Sequence, residues 1–365
     1  MKIVFCIHGC STKPIGGHKI LYEMANRLSE KGHEIVIVFP SYDNLYQLPI
    51  PPHIRVKLLS VITDNFQLMP KWFKLNKKVI RHTVYDYDEK GFPDADIVVA
   101  TAAETAVPVS KLPKRCGKKV YFIQDYELWM LNEEELNKTF QLGMTNIAIS
   151  KWLKEKIESI SKKDVIYIPN AIDTKKYRVI NPVEKRNPAV VGLLWHQGEH
   201  KGLKYAMKAL GLVRAQHEDL KVIMFGATHA PSNLPNWYEF HFRATEREVI
   251  DIYNRCSIFV CATVDEGFGL TGAESMACGC ALASTEYKGV REYAQNEISA
   301  LLSPVKDYYA LANNICRLIE DDQLRIRISQ SGTNSIRSSS WDIAVSKMES
   351  ALKETIKETI KVENT

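Results

Sequence analysis

The stretch Asp265-Glu266-Gly267-Phe268-Gly269-Leu270-Thr271-Gly272-Ala273-Glu274 combines residue types that hold a phosphate beside a diol. It follows an apolar run and opens a helical pattern. Glycines let the backbone pass close to a ligand, and free amides of Gly269–Gly272 at a helix N-terminus attract a phosphate. Glu274, expected in the first turn of that helix, offers two oxygens to a vicinal diol such as ribose. Glu266 lies eight residues earlier and faces the other side of the phosphate. The helix dipole alone draws single acidic residues to such positions. Two carboxylates flanking a double-glycine loop are more than capping needs.

Two carboxylates repel a diphosphate unless a cation intervenes. The stretch Trp195-His196-Gln197-Gly198-Glu199-His200-Lys201-Gly202 supplies one in Lys201, a point charge suited to a phosphate oxygen. By itself Lys201 reads as a solvent-facing lysine at a helix start. Paired with the acidic loop, it reads as a phosphate ligand.

The elements that must position these groups alternate along the chain. Apolar strands are expected over Lys2–His8, Glu34–Phe39, Arg55–Leu59, Asp96–Thr101, Lys119–Ile123, Asn146–Ser150 and Val165–Ile168. The pattern restarts at Ala189–Trp195 and continues through Lys221–Phe225, Ser257–Thr263 and Ala281–Ser284. Helical patterns separate them, as over Gly17–Lys31, 202–216, 245–255 and 272–279. Strands apolar throughout, with helices between, imply parallel sheets covered on both faces. The predicted class is α/β, with two doubly wound Rossmann-like domains facing a cleft. Residues 1–170 form the first and 189–340 the second, joined by a linker over 171–188, with 341–365 as a terminal helix. Ligands in such sheets bind beyond the carboxyl ends of the strands, where both motifs fall.

These residues carry a family resemblance. The Gly-Phe-Gly-Leu loop bracketed by Glu266 and Glu274 resembles the E-x7-E motif of retaining family-4 glycosyltransferases with the GT-B fold. Other matches follow the same order: Gly16-Gly17, Ile168-Pro169-Asn170-Ala171-Ile172-Asp173 at the interdomain crossing, Lys201-Gly202, and Trp341 opening a final helix that in the family returns to the N-terminal domain. The resemblance implies transfer of a sugar from a nucleotide-diphosphate sugar to an acceptor hydroxyl. It assigns Glu274 to the ribose, Glu266 to donor sugar hydroxyls, and Lys201 to the diphosphate. Gly16, Gly17 and the amides of Phe268, Gly269, Leu270 and Thr271 are assigned to the donor as well. The chain departs from many members twice. His196 stands where an arginine is common, and Gln124-Asp125 replaces His-Asp. Gln124 cannot exchange protons, although its amide can orient a sugar. The string Tyr121-Phe122-Ile123-Gln124-Asp125-Tyr126-Glu127 is similar to one in bacterial rhamnosyl-transferring enzymes.

By this reading charge grows on the leaving diphosphate as the sugar–oxygen bond breaks. Lys201 and the helix-start amides are preorganised for it, an effect worth ~3–4 kcal/mol per good donor. No cofactor or metal is then needed beyond the nucleotide sugar. A metal-dependent reading would use Asp86-Tyr87-Asp88 or Asp94-Ala95-Asp96, neither of which follows a strand.

Composition bounds the rest. The chain has 365 residues, 45% hydrophobic and 25% charged, values that exclude disordered, collagen-like and disulfide-scaffold classes. No apolar window is long enough for a membrane span. Met1–His8 is cut off too early for a signal peptide. The cysteines (6, 10, 116, 256, 261, 278, 280 and 316) sit mostly in apolar surroundings, and a reducing cytoplasm without disulfides is expected. The net charge of +5 lies wholly in residues 1–170, too little for a nucleic-acid binder. Within it, Phe66–His82 carries Lys71, Lys74, Lys77, Lys78 and Arg81 without an acid, interleaved with Trp72 and Phe73. Such a run reads either as a solvated basic helix or as a peripheral contact with an anionic membrane, where lipid-linked acceptors reside. Rival readings are a dinucleotide-dependent oxidoreductase, disfavoured by the lack of G-x-G-x-x-G after the first strand, a sugar-nucleotide epimerase of the same fold, and a catalytically silent binding subunit.

Overall fold

The computed structural model describes residues 1–9, 14–40, 51, 54, 57–58, 70–84, 87, 91–231, 233–337 and 339–363. The chain divides into two compact units, Met1–Pro169 with Asp342–Thr365, and Asn170–Trp341. No helix among the described residues is long and apolar enough to cross a membrane.

In the first unit, β1 (Lys2–Cys6), β2 (Glu34–Pro40), β3 (Ile80–Val84), β4 (Ile97–Ala100), β5 (Lys118–Ile123), β6 (Thr145–Ala148) and β7 (Ile166–Tyr167) form a parallel sheet. Its order is β3-β2-β1-β4-β5-β6-β7. Cys6 pairs with Val38 on one side and Ala100 on the other, so the loops leaving β1 and β4 start level. Helices α1 (Gly16–Glu30), α2 (Ala103–Ser110), α3 (Glu133–Thr139) and α4 (Lys151–Ser161) supply the crossovers. Helix α1 buries Ile20, Leu21, Met24 and Leu28 at helical spacing, and Gly32, with φ +88°, ends it in the left-handed region.

The second unit repeats the plan with β8 (Val190–Trp195), β9 (Lys221–Gly226), β10 (Tyr238–Phe242), β11 (Ile258–Cys261), β12 (Ala281–Thr285) and β13 (Leu301–Ser303), all parallel, in the order β10-β9-β8-β11-β12-β13. Around it lie α5 (Leu203–Gln216), α6 (Glu246–Arg255), α7 (Leu270–Ala277), α8 (Tyr308–Glu320) and α9 (Asp322–Arg337). Val191, Leu193, Met224, Val260 and Ala283 meet Ala206, Leu210 and Ile315 in the core. A reciprocal cap starts α6: Thr245 Oγ1 accepts from the Glu248 amide, while the Glu248 carboxylate accepts from the Thr245 amide at 2.7 Å.

Several expectations are corrected. The edge strands β3, β10 and β13 were not anticipated, because short or half-exposed edges lack the continuous apolar run that marks a central strand. The strand expected over Arg55–Leu59 lies mostly outside the described residues, and Lys57 and Leu58 within it are helical. The basic run is not a helix where it is described. Lys71–Val79 forms turns, and Ile80–His82 begins β3; residues 66–69 lie outside the described set.

The stretch 171–188 belongs to the second unit rather than to a free linker. Arg186, 5% exposed, donates to the carbonyls of Tyr253 at 2.9 Å, Cys256 at 2.8 Å and Cys278 at 2.6 Å. The last helix, α10 (Trp341–Glu363), is part of the first unit from Asp342 onward. There Glu349 accepts from Lys31 Nζ at 2.8 Å, and hydrogen bonds from Lys31 and Lys353 lower its carboxyl to about 2.

Candidate active site

Strand order reverses between β8 and β11 in the second unit, and loops leaving the two sides of such a reversal diverge and open a crevice. Lys201 ends a single 3₁₀ turn, Glu199–Lys201, after β8. Glu266 lies on the loop after β11. The two loops are joined through backbone, the amides of Val264 and Asp265 donating to His200 O at 2.7 and 3.3 Å. Gly202, φ +64°, passes so close to the Ala262 carbonyl that a β-carbon would collide with it. This juxtaposition sets Lys201 Nζ directly on Glu266 Oε1 as an ion pair, with both side chains 19% exposed. The two residues assigned separately to diphosphate and sugar thus pair with each other.

Gly269 caps α7 with φ +98°, a conformation glycine adopts without strain. A β-carbon there would also collide with the Tyr287 hydroxyl, which lies 2.7 Å from the Tyr293 hydroxyl and donates to Phe268 O at 3.3 Å. The amides of Leu270, Thr271 and Gly272 open the helix without intrahelical acceptors, as any helix start leaves them. Phe268 is 3% exposed and packs on Tyr293, so its backbone rather than its ring is available to a ligand.

Glu274 is the fifth residue of α7 and not in its first turn, a correction to the expectation. It is 6% exposed and accepts from Tyr253 Oη at 3.3 Å. Burial first, and Glu274 second, push the Tyr253 and Tyr177 phenols far up. Glu274 is therefore seated on a phenol rather than presented from a helix tip. Tyr253, Tyr287 and Tyr293 were not foreseen, because aromatic residues at these spacings look like ordinary core.

His196 follows β8. Burial first, and the Lys201 ammonium second, hold His196 and His200 below the usual imidazole range. His196 Nδ1 accepts from the Gly198 amide at 3.1 Å, which leaves the proton on Nε2. The residue standing in an arginine position is thus a neutral donor.

The remaining candidates lie in the first unit and are placed at the carboxyl ends of its strands. Gly16 and Gly17 begin α1. Gln124 and Asp125 follow β5, and the Gln124 amide packs on Gly17, 3.4 Å from where a β-carbon would sit. Asp125 Oδ1 accepts from the Tyr126 amide at 2.8 Å. Sequence reasoning gave no role to Glu127, whose Oε2 accepts from the Ala103 amide at the start of α2 at 2.5 Å. Burial raises this carboxyl to about 7, opposed by the Ala103 bond and assisted by Asp125 and Glu104.

Other chemistry-bearing pairs are committed elsewhere. Asp94 and Asp96 sit at the amino end of β4, where Asp94 accepts from Arg115 at 2.8 Å and Asp96 from the Lys2 amide at 2.8 Å. Asp86 and Asp88 lie outside the described residues. Cys278 and Cys280 are buried, and the Cys280 thiol donates to Tyr253 O at 3.0 Å.

Two family models tile this architecture. Residues 15–176 match Glycosyltransferase Family 4, and residues 180–335 match Glycosyl transferases group 1. The chain belongs to the glycosyltransferases of the GT-B fold. Among curated relatives is the capsular polysaccharide biosynthesis glycosyltransferase CapM of Staphylococcus aureus, 23% identical over 80% of each chain. Another is the N,N'-diacetylbacillosaminyl-diphospho-undecaprenol alpha-1,3-N-acetylgalactosaminyltransferase of Campylobacter jejuni, 24% identical over 53% of this chain. The match spans about half the length of that relative, 48%. Among solved structures, HepE of Anabaena in complex with UDP and glucose aligns over 99% of this chain and 100% of that one, with a TM-score of 0.70 at 18% identity. That likeness is one of fold.

Proposed function

We propose that the protein transfers a hexosyl or deoxyhexosyl group from a nucleotide-diphosphate sugar to an acceptor hydroxyl, with retention, in the synthesis of a cell-surface glycan or glycolipid. The observation that carries this reading is the Lys201–Glu266 ion pair at the β8/β11 reversal, beside the open amides of α7 and the buried Glu274. An arriving diphosphate competes with Glu266 for Lys201. The freed carboxylate then accepts from sugar hydroxyls, and one exchange thereby couples diphosphate capture to sugar orientation. Glu274 accepts from the ribose diol on the far side of the loop. His196 donates a neutral hydrogen bond where a cation is common, so Lys201 and the amides of Leu270–Gly272 carry most of the charge that grows on the leaving group. Protein groups placed this way take the part of a divalent ion, and activity is expected to survive chelation.

The activities of these relatives, one in capsular polysaccharide biosynthesis and one on a diphospho-undecaprenol substrate, support a glycan or lipid-linked acceptor. The exposed Lys71, Lys74, Lys77 and Lys78 support an anionic membrane as the place of work, peripheral on the inner face of the cell membrane. Trp72 and Phe73 pack on Tyr22, at ring distances of 5.7 and 5.3 Å. Their role is therefore to hold the basic turn, not to enter lipid.

The test is turnover of a panel of nucleotide sugars with EDTA present. Lys201→Ala should lower kcat by ~10²-fold or more while changing the donor KM less, because its charge partner grows in the transition state. An effect confined to KM would leave Lys201 a ground-state anchor. Complete loss of activity with EDTA, restored by Mn²⁺, would overturn the metal-free mechanism.

A further inference from the structure

His18 is the third residue of α1, directly after Gly16-Gly17, and is 4% exposed. Neither ring nitrogen has a hydrogen-bond partner among the described residues. The ring lies between His8, at 5.0 Å, and Tyr22, at 5.8 Å between centroids. Burial, reinforced by His8, lowers the imidazole to about 3, so it is neutral under all physiological conditions. A neutral imidazole offers one donor and one acceptor.

Native folds rarely leave such atoms unpaired, because each forfeits the hydrogen bonds it had with water. This one lies where strand order reverses between β1 and β4, at the end of the sheet that receives ligands. A second unpartnered atom is close by. Gln124 Oε1 is buried without a partner among the described residues, and its amide rests on Gly17. His18 follows Gly17 in the chain and Gln124 packs against it, so the two bracket one glycine.

We propose that His18, together with Gln124, reads the hydroxyls of an uncharged sugar residue, and that this pair determines which sugar the first unit accepts. A hydroxyl both donates and accepts, which is what a neutral imidazole and an amide require. A phosphate or carboxylate would leave the imidazole acceptor facing an anion. The inference rests on the glycosyltransferase reading and adds a specificity residue to it. The sugar comes either with the nucleotide donor or with the acceptor.

The experiment compares wild type, His18→Phe and His18→Gln. Thermal melting without ligand comes first. Phe removes unpaired nitrogens and keeps the ring stack, so the melting temperature should hold or rise; a marked fall would mean the imidazole is satisfied within the fold and would overturn the proposal. Calorimetry then uses UDP, GDP and dTDP, each beside UDP-glucose, GDP-mannose and dTDP-rhamnose. His18→Phe should bind the free nucleotide as wild type does. If the sugar is the donor's, affinity for the matching nucleotide sugar falls at least 10-fold. If it is the acceptor's, donor affinity is unchanged and the acceptor KM rises at least 10-fold. His18→Gln, which keeps a donor and an acceptor, should recover part of either loss. Unchanged donor affinity together with unchanged acceptor KM would sink this inference and leave the glycosyltransferase reading standing. Binding of none of the six probes by the wild type would overturn both.

Discussion

Glu274 is held by a phenol and screened from water, so any diol that reaches it meets a carboxylate with little competition. Glu274→Ala should weaken nucleotide-sugar binding by about 1.5–3 kcal/mol, the worth of a charge-assisted bond in such a place. Unchanged affinity in calorimetry would remove the ribose assignment. Glu127 makes a different prediction. Its folded carboxyl titrates near 7 against 4.5 when unperturbed, so between those values the folded chain holds a proton that the unfolded chain has released. Stability therefore falls as pH rises from about 4.5 to 7 and is level above, by on the order of 3 kcal/mol. Glu127→Gln should abolish that slope, measured as melting temperature at pH 5, 6, 7 and 8. Parallel curves for the two proteins would show an ordinary carboxylate. Neither the Tyr253 seat of Glu274 nor the elevation of Glu127 was legible in the sequence, since both depend on which distant residues close over the carboxyl.

The helices and loops do the positioning through close approaches that only glycine permits. Gly269 combines a left-handed φ with contact to the Tyr287 hydroxyl. Gly269→Ala should cost about 2–4 kcal/mol, the sum of a left-handed alanine and an overpacked contact. In a Tyr287→Phe background the closest colliding atom is gone while the Tyr293 hydroxyl remains, and the added cost should shrink. An equal cost in both backgrounds, measured by denaturant melts, would show that the conformation alone matters. The glycine-rich loop that opens α7 was legible because glycines and a following helix are local signals. Its bed of tyrosines was not, because Tyr287 and Tyr293 reach it from beyond β12. Edge strands escaped for a related reason: Tyr-Glu-Phe-His-Phe over β10 alternates half-exposed side chains and resembles a loop until β9 pairs with it.

For the whole molecule, the basic excess belongs to the first half of the chain and is displayed in part on the turns before β3. With Trp72 and Phe73 engaged on Tyr22, attachment to a membrane would be electrostatic, about 1 kcal/mol per lysine near an anionic surface. Binding to anionic vesicles should then be lost at high salt, within a Debye length's reach of screening. Charge reversal at Lys74, Lys77 and Lys78 should release the protein at low salt too. Wild-type protein remaining in the supernatant with anionic vesicles at low salt would make the run a solvated face and favour a soluble acceptor.

Alternating apolar strands and helices determined by themselves that this chain folds as two parallel sheets, and the E-x7-E loop with its ordered landmarks carries the resemblance to GT-B glycosyltransferases. These features are local and periodic, so they survive in a one-dimensional string. The tertiary structure decided that Lys201 and Glu266 form one ion pair, that Glu274 rests on Tyr253 within the second turn of α7, that His196 is neutral with its proton on Nε2, and that 171–188 belongs to a unit rather than a linker. Each of those depends on burial and on partners tens of residues away. Charge state and pairing follow from the enclosing surroundings, and only the folded chain supplies them.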